Sequence, residues 1–206
     1  MYLKVSNKFA DSDFYFLEKF LRMIDTELSE IDKQIKQSKD PDSDGLCDLG
    51  EYFIGYGFIA IQRYITSTYP QTSFKKMQSL KLGHKINDDL YLLEAINAGA
   101  NYWKHENEWP FPLNEGEPDD KGMIPIEIDR TGSNLKGIQK ITYDTITKIT
   151  PYADYTLSNL LAGIVLKTTN TSNLNFSVLL SFIKEWRKKL DVENQKHKEE
   201  EEASQI

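Results

Sequence analysis

The stretch "SDFYFLEKFLRMIDTELSEIDKQIKQ", residues 12–37, decides the fold class. Phe16, Leu17, Phe20, Leu21, Ile24, Leu28, Ile31 and Ile35 recur at steps of three and four, which puts them on one stripe of an α-helix. Ser12 or Asp11 can cap its start. Pro41 and Gly45 close it, since both residue types break helices. Working outward, "LGEYFIGYGFIAIQRYITSTY" (49–69) predicts a second helix, apolar on nearly all sides and therefore central. Gly55 and Gly57 each cost about 1 kcal/mol of helix propensity relative to alanine. They imply close approach of another helix or of a partner. Gln62 and Arg63 are this helix's conspicuous polar members.

A third helix is expected over "NDDLYLLEAINAGANYWKHENEW" (87–109), capped by Asn87 or Asp88 and stopped by Pro110. A short helix is expected within 135–149, and longer ones within 153–168 and 175–203. Residues 110–135, rich in proline, glycine and acids, predict a long irregular excursion; "MIPIEI" (123–128) is its one candidate extended segment, held at an edge by Pro125. The alternation of a sheet is almost absent. The expected fold is all-α, a helical bundle of about five to six helices in one domain over 1–190. The charged block over 191–206 is expected to be a solvated tail.

Composition narrows the function classes. A net charge of -7 argues against a broad DNA-binding surface that works by phosphate neutralisation, though not against a locally basic cleft. No apolar run approaches the roughly 18 residues of a membrane helix, and no signal-peptide pattern opens the chain. The single cysteine, Cys47, excludes an intramolecular disulfide and suits a reducing compartment. A cytoplasmic protein is the expectation. Serine-nucleophile, phosphate-loop, CxxC and HExxH patterns are missing, so no cofactor is expected apart from the ion considered below.

Two clusters carry chemistry. Asn97, Asn101 and His105 lie four residues apart, with Glu94 and Glu108 extending the strip and Lys104 at its margin. Leu90, Leu93, Ile96 and Trp103 mark the opposite, core-facing side. His105 suits general acid–base work, Lys104 can hold a phosphate or a developing negative charge, and Asn101 can orient the ring or bind a substrate oxygen. The set suits metal-free cleavage of a phosphodiester with the 2′-OH of RNA as nucleophile. A solvated helix end would carry the same residue types, and Trp103 and Trp109 read most simply as packing.

This Asn-x3-Asn-x3-His strip on a core helix resembles the HEPN superfamily of small helical-bundle proteins, many of them RNases in bacterial toxin–antitoxin and anti-phage systems. The resemblance implies metal-independent RNA cleavage, His105 as acid and base, and a homodimer. Asn97 or Asn101 stands where that family has arginine, and Arg63 on the preceding helix is the candidate replacement cation.

The second cluster is "DPDSDGLCDLGE", residues 40–51. It resembles a single EF-hand calcium loop, with Asp40, Asp42, Asp44, the Leu46 carbonyl, Asp48 and Glu51 as ligands and Gly45 at the sharp turn. The alternative is an acidic turn followed by Asp48 as helix cap, with Glu51 as its capping-box partner. Calcium is thus one possible ligand at 40–51. A third reading makes the chain a non-catalytic partner protein that buries the face around Gly55 and Gly57.

Overall fold

Helix α1 (Ser12–Gln37) begins where the Asp11 carboxylate accepts a 2.8 Å hydrogen bond from the Phe14 N–H. A computed structural model of the protein describes residues 2–5, 8–108, 113–115, 126–128, 134–150, 156–171 and 174–203. In α1 the buried residues are Leu17, Leu21, Ile24, Leu28 and Ile31, a strict alternation of four- and three-residue steps. That narrow seam lies chiefly against α2 (Leu46–Thr68), and the turn Ser177–Leu179 also meets α1, where the Asp25 carboxylate accepts from the Phe176 and Ser177 N–H groups at 2.7 and 2.9 Å. Phe16 and Phe20, expected on the buried stripe, lie outside the seam and are 64% and 39% exposed.

Helix α2 starts behind Gly45, whose positive φ of 69° turns the chain sharply between the two helices. It packs against α1, α4 (Leu92–His105) and α6 (Leu157–Thr169), which accounts for its apolar sequence. The two glycines mark its closest approaches. A Cβ at Gly55 would overlap the Trp103 indole, and one at Gly57 would overlap the Phe176 ring. Both are therefore filled from within the chain, and no partner is needed to explain them. The exposed aromatics of α2 are instead Tyr52 and Tyr56.

The third helix starts later than expected. Lys85–Asn87 (β3) and Leu90–Tyr91 (β4) form an antiparallel hairpin, and α4 begins only at Leu92. The "NDD" stretch reads as a helix cap, but the Asn87 side chain accepts from the Asp89 N–H at 3.0 Å and closes a turn. The Glu94 carboxylate then takes the Tyr91 N–H at 3.1 Å.

The other described elements are the hairpin of β1 (Tyr2–Val5) and β2 (Lys8–Asp11), the short α3 (Lys76–Leu80), the pair β5 (Leu113–Glu115) and β6 (Ile126–Ile128), α5 (Gly137–Thr147) and α7 (Leu180–Ala203). The described residues thus hold seven α-helices, one more than expected, with strands only in two-stranded pairs. The fold is all-α. Within the expected excursion, 126–128 is indeed extended, and most of the rest of 110–135 lies outside the described residues.

Helix α7 closes the core. Trp186 is fully buried and donates its indole N–H to the Ser79 carbonyl at 2.7 Å. The block after Leu190, expected as a solvated tail, is not wholly solvated. Asn194 is also buried, its side-chain oxygen accepting from the Ser73 N–H at 2.9 Å, and helical backbone continues to Ala203.

Candidate anion-binding face of helix α4

Gln62 of α2 is 7% exposed and points at α4, where it organises the polar strip. Its Oε1 accepts from Lys104 Nζ at 2.7 Å, and its Nε2 donates to Asn101 Oδ1 at 2.8 Å and Asn97 Oδ1 at 2.9 Å. The orientation is forced from one end. An ammonium only donates, so Gln62 must turn its oxygen to Lys104 and its NH2 to the asparagines. Both asparagines then commit their oxygens to Gln62, which leaves their Nδ2 groups for a ligand. Neither Nδ2 has a partner among the described residues.

Asn97 and Asn101 line a cleft of about 180 Å³ between α3, α4 and α5. Lys76 of α3 lines it too. Burial lowers the pKa of the Lys76 ammonium, and the like charge of Lys104 lowers it further; burial alone lowers that of Lys104. Among the described residues neither lysine has a carboxylate within ion-pair distance. Glu94 also lines the cleft; one of its oxygens takes the Tyr91 N–H and the other lies 4.0 Å from Lys81 Nζ, beyond hydrogen-bond reach. Two partly desolvated cations without an acidic partner make this face a place for an anion.

Sequence reasoning found Lys104, Asn97 and Asn101 but gave Gln62 no role and passed over Lys76. The signal was present in "FKKMQSLKLGHK" (74–85), a run of lysines in an acidic chain. His105 does not line the cleft; its Nδ1 lies 3.1 Å from Glu108 Oε2, with both side chains exposed. Arg63 joins neither group. It lines a different groove, between α1 and α2, beside Phe16 and Phe20. Trp103 covers Gly55 and meets Tyr52 edge to face, whereas Trp109 lies outside the described residues.

The acidic loop is held by hydrogen bonds of its own. Ser43 donates its N–H and hydroxyl to Asp40, and Ser38 donates its hydroxyl to Asp44 at 2.5 Å. Asp42 accepts a hydrogen bond from Cys47, which together with the neighbouring acids raises the thiol pKa. Leu46 already opens α2, so its carbonyl points along the helix axis. Asp48 lies inside the first turn rather than at the cap, which Gly45 occupies. Glu51 makes no capping box. Its carboxylate reaches across to α6, accepting from the Leu157 N–H at 2.7 Å, the Ser158 N–H at 3.0 Å and the Ser158 hydroxyl. No group of three or more metal-ligating side chains is assembled among the described residues.

An N-terminal cap of this kind stabilises by about 1–2 kcal/mol. We expect Glu51→Ala to lower the urea unfolding free energy by that amount in the presence of chelator. A loss seen only with calcium present would return Glu51 to the role of an ion ligand.

With the geometry in hand, comparison with known proteins adds no relative: no family model, curated protein or solved structure matches the chain. The likeness to HEPN proteins therefore rests on the α4 residues themselves. Among the described residues no helix is long and apolar enough to cross a membrane.

Proposed function

We propose that the protein is a cytoplasmic RNA-binding protein that cleaves RNA without metal, using the polar face of α4. The observation that carries this reading is the Lys104–Gln62–Asn97/Asn101 relay beside Lys76. It presents donors and positive charge where a phosphodiester supplies acceptors and negative charge. His105 adds the proton chemistry. With Glu108 at its Nδ1, the ring leaves Nε2 outward to take the proton from a 2′-OH. Lys104 then holds the charge that develops on the phosphate oxygens while the P–O5′ bond breaks, and His105 returns the proton to the leaving 5′-oxygen.

The electrostatic half of this reading is tested by single-stranded RNA binding, read by fluorescence anisotropy across a salt series. Replacing two phosphate contacts, as in the double variant Lys76→Gln/Lys104→Gln, should weaken binding and flatten the plot of log affinity against log salt by about 1.4, at roughly 0.7 per contact. An unchanged slope and affinity would show that this face does not meet the RNA backbone.

A further inference from the structure

The cleft beside the relay holds more than charge. Its walls carry three apolar side chains that the fold leaves in solvent: Met77 at 48% exposure, Ile138 at 72% and Ile141 at 55%. Between them stand Lys76 and the amides of Asn97 and Asn101. The wall residues come from α3 and α5, the amides from α4, so three helices build the site. The orientation forced by Lys104 makes the asparagines and Lys76 a row of donors, because the asparagine oxygens face Gln62 and Lys76 can only donate, while the Glu94 carboxylate in the same lining is an acceptor. The Thr145 hydroxyl spends its one proton on the Ile141 carbonyl at 2.7 Å, so on the α5 side it can only accept. A volume of about 180 Å³ is below that of pockets for drug-sized ligands, which begin near 300 Å³, and suits one flat ring system gripped between aliphatic walls.

A ligand for such a site is flat, apolar on its faces and rich in acceptors along one edge. Nucleobases meet the first two conditions, and the third separates them. At the edge a base shows to the major groove, guanine alone carries two adjacent acceptors, O6 and N7. Adenine sets an N6 amino donor beside its N7, and cytosine presents its N4 amino group, so each would face a donor with a donor. Uracil offers a single acceptor at that edge.

We propose that the α3–α4–α5 cleft is a guanine-binding subsite, in which Asn97, Asn101 and Lys76 donate to O6 and N7 while Met77, Ile138 and Ile141 sandwich the ring. This specificity rests on the RNA reading above and deepens it, placing the cleaved bond next to a guanosine. The base would sit in the cleft, and its phosphate would lie toward Lys104.

The test is calorimetric titration of the full chain with GMP, AMP, CMP, UMP and inorganic phosphate. GMP should bind at least about tenfold tighter than the others, a difference of about 1.4 kcal/mol. Asn101→Asp, which keeps the shape but turns a donor into an acceptor, should abolish that preference. Ile138→Ser alters a solvent-exposed wall residue without touching the core, and it should weaken GMP while leaving phosphate unaffected. Equal binding of all four nucleotides, or of phosphate as tightly as GMP, would overturn the subsite. Binding is read without turnover, which separates the two claims. A protein that prefers GMP but cleaves no RNA would contradict the nuclease reading alone, and one that cleaves RNA with no base preference would contradict the subsite alone.

Discussion

Replacing Trp186 by alanine is expected to remove about 3–5 kcal/mol of folding free energy, the range for truncating a large buried aromatic. Trp186 is 1% exposed and meets the Tyr64 ring edge to face at 6.2 Å. Through its indole N–H it ties α7 to the last turn of α3 at Ser79. Truncation opens a cavity at this junction and takes the indole donor from the Ser79 carbonyl, which keeps only the longer 3.3 Å bond from the Leu82 N–H. For a domain whose total stability is about 5–15 kcal/mol, the loss is a large fraction of the whole. Trp186→Phe should cost less, since it keeps most of the ring and gives up the hydrogen bond, an effect of about 1–3 kcal/mol. Urea unfolding followed by circular dichroism measures both. A loss below 1 kcal/mol for the alanine variant would mean that α7 does not close the core as described.

His105→Ala is expected to slow RNA cleavage by about 10²–10⁴-fold, the usual contribution of a positioned acid–base group. The side chain is about half exposed and pairs with the exposed Glu108, so the variant should keep the stability of the parent protein. RNA binding should also change little, because the cations that hold the phosphate are Lys104 and Lys76. Glu108→Gln should produce a smaller rate loss, as it leaves the ring in place and removes only the charge at Nδ1. Single-turnover cleavage of a labelled oligonucleotide gives the rates. Equal rates for the parent and His105→Ala would remove His105 from the chemistry.

Much of the architecture was legible because periodicity reports burial directly. The repeat in 12–37 yielded α1 to the residue, and the glycines of α2 announced the close packing that Trp103 and Phe176 supply. What escaped were features in which one local pattern serves two structures. "NDD" at 87–89 is good cap chemistry and equally good turn chemistry, and only pairing with Lys85 and Tyr91 decides between them. Phe16 and Phe20 share the helical period of their buried neighbours, yet α2 and the turn Ser177–Leu179 cover only a narrow seam of α1. Glu51 has the right spacing for a capping box and for a calcium loop, but its partner is α6, 106 residues away along the chain from the Leu157 N–H. The candidate site divides in the same way. The α4 strip could be read from spacing, whereas Gln62 and Lys76 belong to it only through tertiary contacts.

The measurement that bears most directly on the central claim is the chemistry of the RNA ends left by the purified protein in excess chelator. Attack by the 2′-OH, with His105 taking its proton and Lys104 holding the phosphate, predicts fragments ending in a 2′,3′-cyclic phosphate paired with fragments starting in a 5′-hydroxyl. Intact RNA, or ends bearing a 5′-phosphate and a 3′-hydroxyl, would contradict it.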